Sequence, residues 1–480
     1  MKGGILKEGH NCCRIRKVDR LAMLVDGDEY YKAFFNTVPK AKHTVDILGW
    51  EVDSRINIGH INEEYPDNLR QYFNQVVKQN RNLHINVLSW RSPAYLLFGR
   101  ENFAAAKWKW ETDKNVSFRQ VGHPHMYGTH HEKMVIIDGN CAFLGGMDIS
   151  RKRWDTRDHK LDNPLRKDEL GNHYHPIHDV QLVLSGEMVR ELRTYLQEKG
   201  HKYKDQDESE IIWPSIEARE IRDVPVALSR TNSLKRHKEI EKLYLDAIHA
   251  AKDFIYIENQ YFSCENIVNA LCWKLMEEDG PDIIIVLPFS YRGSFEKAVY
   301  TNERNKALKR LQRADRHQRL GFFYPDNERK DQSRFIVVHS KFMIVDNEFL
   351  TLGSANLNNR SLHVDSELNL SLEARGDSKV RSFIEENLYR LLEEHLDTPE
   401  KELRKKFEET KSLRETVRAF QGKKARTLEE INYSPTSFKE ELMVLITPMV
   451  DVRFSLPKVH LVIFIFALFL MSLMFWQVPE

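Results

Sequence analysis

His131 and Lys133 stand two residues apart in GTHHEKMVIIDGN, with Asp138 closing the group. His339, Lys341 and Asp346 repeat that spacing in VHSKFMIVDN, 208 residues later. Two ammonium groups suit the non-bridging oxygens of a phosphodiester. A neutral imidazole can attack phosphorus and form a covalent phosphoenzyme, while a protonated one hands its proton to the departing alcohol and deprotonates the next. Such a site holds two histidines in different protonation states at one pH, a coupled pair. Each ring also needs a partner on its second nitrogen. Asp155, 24 residues after His131, and Glu367, 28 after His339, are the carboxylates at comparable distances.

Each motif runs on to small residues, Gly145 in GGMD and Gly353 in GSAN. Small residues there let the backbone and the short side chains of Ser354 and Asn356 approach a phosphate. Asp138 and Asp346 complete the motif and follow apolar runs, so they read as turn or hydrogen-bonding groups rather than proton carriers. His178 and Asp179, in HPIHDVQLVL, read equally as supporting groups or as satisfied residues at a strand start. His123, His125 and His130 make no metal set, and no Asp/Glu cluster fits a two-metal hydrolase. The chemistry is expected to need neither metal nor cofactor.

The elements that must position these residues come in two series. HTVDILGWEVDS and LHINVLSW precede the first motif, and DFIYIENQYFS and DIIIVLPFS precede the second. Each is a short β-branched or aromatic run that reads as a buried strand. Amphipathic segments, PDNLRQYFNQVVKQN and CENIVNALCWKLMEED, lie between them. Strand, helix, strand implies parallel pairing in an α/β sandwich. KMVIID and KFMIVD read as strands as well, so each His and Lys project from one face. A pseudo-twofold axis relating the halves would bring both pairs to a shared interface, and one site would draw on both copies. The fold expected is α/β: two α/β/α-sandwich lobes over residues 1–205 and 206–398, one shared active site, then a charged helical linker over 399–458.

With 480 residues, 41% hydrophobic and 30% charged, the chain has the composition of a globular protein of two domains or one two-lobed unit. A net charge of +1 gives no overall steering toward nucleic acid. Five cysteines without disulfide or metal spacing suit a reducing compartment. The N-terminus has no apolar core, so no secretory signal is expected. Residues 459–478, VHLVIFIFALFLMSLMFWQV, are long and apolar enough for a transmembrane helix, with Trp476 at an interfacial place. Arg453 and Lys458 on one side would keep the catalytic part cytoplasmic. The expectation is a single-pass C-terminal anchor, or the first span of a longer membrane region.

At the doubled H-x-K-x4-D followed by G-[GS]-x-N, the chain resembles the phospholipase D superfamily over roughly residues 20–398. GGMDISRKRWDT, HPIHDV, IYIENQYF and GSANLNNRSLHVDSEL resemble segments of phospholipase D proper rather than its nuclease relatives. Gly146 and Asp148 depart from the pattern where the second copy has Ser354 and Asn356, and PIHD replaces the frequent PWHD. A carboxylate at 148 would repel a phosphate unless turned away or hydrogen-bonded. The resemblance implies a phosphohistidine on one of His131 and His339, the other as acid/base, and Lys133, Lys341 and Asn356 on the phosphate. The activity it implies is hydrolysis of a glycerophospholipid to phosphatidic acid, with water or an alcohol as acceptor. The partners implied are a phospholipid substrate and a membrane, not nucleic acid. A cardiolipin-synthase-like phosphatidyltransferase is the alternative, a nuclease the third reading, and an inactive lipid-binding scaffold the reading from another class.

Overall fold

The apolar runs assemble into one long mixed sheet. The computed structural model describes residues 4–66, 68–91, 101, 103–125, 128–201, 210–291, 294–327 and 335–431. From the middle of the sheet toward one edge the strands are Arg14–Val25, Val180–Gly186, Cys141–Gly145, Met134–Ile137, Thr44–Gly49, His84–Trp90 and Val116–Val121. Toward the other edge they are Glu220–Asn232, Glu367–Glu373, Phe349–Gly353, Phe342–Val345, Phe254–Glu258, Asp282–Val286 and Leu320–Asn327. The two long strands Arg14–Val25 and Glu220–Asn232 pair antiparallel and form the seam.

Each half contains the expected crossover. Thr44–Gly49 and His84–Trp90 are parallel and joined through the helix Leu69–Gln79. Phe254–Glu258 and Asp282–Val286 are parallel and joined through the helix Glu265–Met276. The motif strands Met134–Ile137 and Phe342–Val345 each run antiparallel to the first strand of these crossovers. Alternation along a strand divides the core. Ile47 and Val87 pack with Phe34, Phe73 and Trp108 on one face of the first half, and Ile257 and Ile285 pack with Leu243 and Leu271 on the same layer of the second. Leu48, Leu184 and Leu370 face the opposite layer, where Leu192 and Leu388 cover both halves.

Two expectations change. Among the described residues no helix is long and apolar enough to cross a membrane. The long helices Ser294–Ala314 and Ser378–Leu396 carry charges along their length, among them Lys306, Arg310, Glu385 and Arg390. The expected transmembrane helix is therefore not supported, and neither are the single-pass anchor and cytoplasmic placement built on it. Residues 459–478, whose apolar length was the whole signal, lie outside the described residues. The charged stretch after 398 also differs from a solvated linking helix. It folds as the helices Glu400–Thr410 and Leu413–Phe420 and a strand, Arg426–Glu430, that pairs antiparallel with Leu320–Asn327. Its sparse apolar residues Leu403, Val417 and Leu428 are fully buried, which explains how so polar a sequence is held down.

Candidate active site

Both motifs enter their strands from a segment pinned by the other half. The His131 N–H donates to Ser366 O at 3.0 Å, and the His339 N–H donates to His178 O at 2.8 Å. The short parallel pair Ile177–His178 and Val337–Val338 continues the second of these contacts. Extended backbone at 131–133 and 339–341 then puts each lysine on the side of its histidine. Lys133 Nζ reaches His131 O at 2.8 Å, and Lys341 Nζ donates to His339 O and lies 3.2 Å from His339 Nδ1.

The orienting carboxylates are exchanged between the halves. His131 Nδ1 lies 3.0 Å from both Glu367 oxygens and 3.0 Å from Ser354 O. His339 Nδ1 lies 2.6 Å from Asp179 Oδ2. Each half thus supplies the partner of the other half's histidine. With Nδ1 engaged, Nε2 is the nitrogen of each ring left for chemistry. Asp155, the expected partner for His131, instead meets His159 Nδ1 at 2.9 Å and Arg166 at 2.8 Å. Asp179 had only the PIHD segment as a signal, and Arg153, whose charge acts on His339, Lys341 and Asp179, had none.

The pairs are electrostatically one group. Burial holds His131 well below its ordinary value, with Lys133 and Lys341 adding to the effect. Burial does the same to His339, helped by Lys341, Arg153 and Lys133. Charges from both halves therefore act on both rings. Burial pushes Lys341 down to about 7, with Lys133 and Arg153 adding to that and Asp179 acting against it. Burial and Asp365 push Glu367 up, and burial pushes Asp179 up against the pull of Lys341. Buried rings held neutral are nucleophiles in waiting, and an anionic phosphate beside them is the charge that would return a proton to one.

The glycine segments differ in a way the geometry explains. Ser354 Oγ donates to Glu367 Oε2 at 2.5 Å, so this hydroxyl is engaged by the carboxylate rather than free for a phosphate. At Gly146 a Cβ would stand 2.2 Å from Asp179 Oδ1, so the first copy has no room for a serine. Asp148 Oδ2 pairs with Lys133 Nζ at 3.2 Å, and its Oδ1 accepts the Trp50 N–H at 2.9 Å. That carboxylate is hydrogen-bonded and neutralised, the condition under which a phosphate could sit nearby. Asn356 is buried and its side-chain oxygen has no hydrogen-bond partner among the described residues.

Asp138 and Asp346 lie at the other end of their strands. Asp138 accepts the N–H groups of Lys42, His43 and Thr44 at 2.7–2.8 Å. Asp346 accepts those of Lys252, Asp253 and Phe254 at 2.8–2.9 Å. Both have positive φ, 48° and 53°, and tie the turn after the motif strand to the start of its neighbour.

Residues 244–390 match the family model described as "Cardiolipin synthase, PLD-like domain". The chain is 25% identical over 423 residues to Phospholipase D A of Dictyostelium discoideum, covering 72% of this chain and 32% of that protein. It is 26% identical over 370 residues to the cardiolipin synthase of Geobacillus thermodenitrificans, covering 73% and 62%. It spans a third of the one relative and just under two thirds of the other. The crystal structure of phosphatidylserine synthase from Haemophilus influenzae has the same overall fold, with a TM-score of 0.57 at 12% identity over 83% of this chain and 95% of that one.

Proposed function

Because the chain belongs to the phospholipase D superfamily, we propose that it cleaves the distal phosphodiester of a glycerophospholipid through a phosphohistidine and passes the phosphatidyl group to water or an alcohol. The observation that carries this reading is the exchanged pairing, His131 on Glu367 and His339 on Asp179, around two lysines.

In the proposed cycle Lys133, Lys341 and Asn356 hold the non-bridging oxygens. His131 Nε2 attacks phosphorus as the bond to the head-group oxygen breaks, and Glu367 steadies the positive charge that grows on the ring. His339, protonated and oriented by Asp179, gives its Nε2 proton to the departing oxygen. Water or an alcohol then takes the vacated place, loses its proton to His339 Nε2, and displaces His131. Asp138 and Asp346, at the far strand ends, hold the frame. Two in-line displacements retain configuration at phosphorus.

A phosphatidyltransferase of the cardiolipin-synthase kind shares every step but the acceptor, and a relative of that name supports it equally. Incubation of the protein with defined phospholipids, with and without ethanol, and with phosphatidylglycerol alone, tests both by mass spectrometry. Phosphatidic acid, diverted to phosphatidylethanol by ethanol, is the hydrolase outcome, and cardiolipin from phosphatidylglycerol is the transferase outcome. Inversion on a chiral phosphorothioate substrate would rule out the phosphohistidine in either.

A further inference from the structure

Behind Asp179 lies a buried set of titratable side chains that no step above uses. Asp26, Asp155, His159 and His178 come from the first half, and Glu258 and Glu394 from the second. Each is at most 2% exposed. His178 Nε2 lies 2.8 Å from Glu258, and its Nδ1 lies 2.6 Å from Glu394 and 3.1 Å from Asp26. His159 Nδ1 lies 2.9 Å from Asp155, and its Nε2 lies 3.1 Å from Glu394 and 3.5 Å from Asp26. Both rings therefore have carboxylate oxygens at both nitrogens. A neutral imidazole donates from one nitrogen only and would turn a lone pair on a carboxylate.

Charge balance leads to the same place. Of the four carboxylates, Glu394 pairs with Arg157 and Asp155 with Arg166. Two negative charges remain in a buried interior, where an uncompensated charge is strongly destabilising. His395 meets Glu258 at 2.8 Å, but burial pushes its own ring toward the neutral form. Two imidazolium charges close the sum. A divalent ion would supply the same two charges, but around a tetrahedral ion ligand atoms stand about 3.3 Å apart. The 2.6 Å separation of His178 Nδ1 from Glu394 is shorter than that spacing.

This set meets the active site at Asp26. Its carboxylate accepts the Asp179 N–H at 3.1 Å, and its own N–H donates to Asp179 O at 2.8 Å. Asp26 has φ +63°, a left-handed conformation that a non-glycine residue holds only where its surroundings enforce it. We propose that His159 and His178 are permanent imidazolium cations that fix Asp26, and that Asp26 is a positioning residue for the Asp179–His339 pair. Burial alone would lower His159, and Asp26, Asp155 and Glu394 outweigh it, pushing the ring up to about 10. Burial and Glu394 push Asp26 up to about 7, against the pull of the two rings.

The positioning role rests on the acid/base function proposed for His339, while the charge state does not. The full chain, labelled with ¹⁵N-histidine, is measured at about pH 8, where an unperturbed imidazole is neutral. Two of its 20 histidines should be protonated at both nitrogens. Neutral rings at 159 and 178, or a stoichiometric divalent metal in the purified protein, would overturn the proposal. Asp26→Asn should turn one of the two rings neutral and lower kcat about tenfold or more with KM little changed, since Asp179 loosens without touching the phosphate. Wild-type kcat in a folded Asp26→Asn variant would overturn the positioning role. A wild-type protein inactive on every lipid would sink the proposed function and leave the histidine spectra to decide the charge state.

Discussion

Asp179→Asn isolates one of the two exchanged pairs. The carboxylate binds His339 Nδ1 at 2.6 Å through Oδ2 and accepts the Val180 N–H at 2.9 Å through Oδ1. An asparagine of the same shape keeps one of these. If its oxygen stays on Val180, its NH2 faces His339 and fixes the wrong tautomer. If it turns round, the buried Val180 N–H is orphaned. Either way a charge-assisted bond to the growing imidazolium is lost. Together these cost about 3–5 kcal/mol in the transition state, roughly 10²- to 10⁴-fold in kcat. Circular dichroism and thermal melting should show a folded protein. The loss should also depend on the leaving group. A nitrophenyl ester leaves without a proton, so the first displacement is spared and dephosphorylation alone is slowed. Rapid mixing should then give a burst of nitrophenol near one per site, with label trapped on His131. A kcat within about threefold of wild type, or an equal loss on both substrates without a burst, refutes His339 as the Asp179-oriented acid/base.

Glu367→Gln strikes the other ring, so it should slow nitrophenyl and natural substrates alike and show no burst of nitrophenol, measured in the same rapid-mixing assay. Gly146→Ser should cost activity about 10²-fold, because its Cβ would lie 2.2 Å from Asp179 Oδ1; a folded variant of wild-type rate would remove Asp179 from its orienting role. Lys341, pushed down to about 7, is charged below that pH, so kcat/KM should fall as pH rises through about 7 in a pH–rate profile, with the fall in kcat at higher pH because a bound phosphate favours the ammonium form. His159 has its folded value raised to about 10, so its stabilisation is complete below the ordinary histidine range and is lost as pH rises through about 10; urea midpoints should decline from neutral to alkaline pH, and less steeply in His159→Gln. Asp148→Asn strands the buried Lys133 and should cost about 3 kcal/mol in urea unfolding, with saturating inorganic phosphate restoring part of it.

The histidine–lysine pairs were legible because a strand obeys a two-residue period, and two copies of a rare spacing are hard to explain by packing. The strand–helix–strand order was legible for the same reason, from apolar runs of strand length. Glu367 could be named as an orienting carboxylate, but nothing in its position says that it serves His131 and not His339. Separation along the chain does not tell which half a side chain faces once two halves meet edge to edge. Asp179 stood out only as half of an ambiguous His–Asp pair. The buried set around His178 draws on residues from 26 to 394 and has no local pattern to read. The expected membrane span finds no support among the described residues, since length and apolarity describe a segment without placing it in a fold. The polar stretch after 398 shows the converse, three buried leucines and valines among many charges being enough to dock it.

On the proposed function, the exchanged carboxylates also fix when chemistry could begin during synthesis. His131 leaves the ribosome 236 residues ahead of the glutamate that orients it. At about 5–20 residues per second the wait is roughly 12–50 seconds. His339 finds Asp179 already made, 160 residues upstream, yet still depends on the seam between Arg14–Val25 and Glu220–Asn232 to bring it within reach. A nascent or truncated chain ending before residue 367 carries His131, the nucleophile of the proposed cycle, without its carboxylate partner. On the proposed function, phosphodiester cleavage would behave as a two-key lock, silent in either half alone and switched on only when the last strands are threaded in beside the seam.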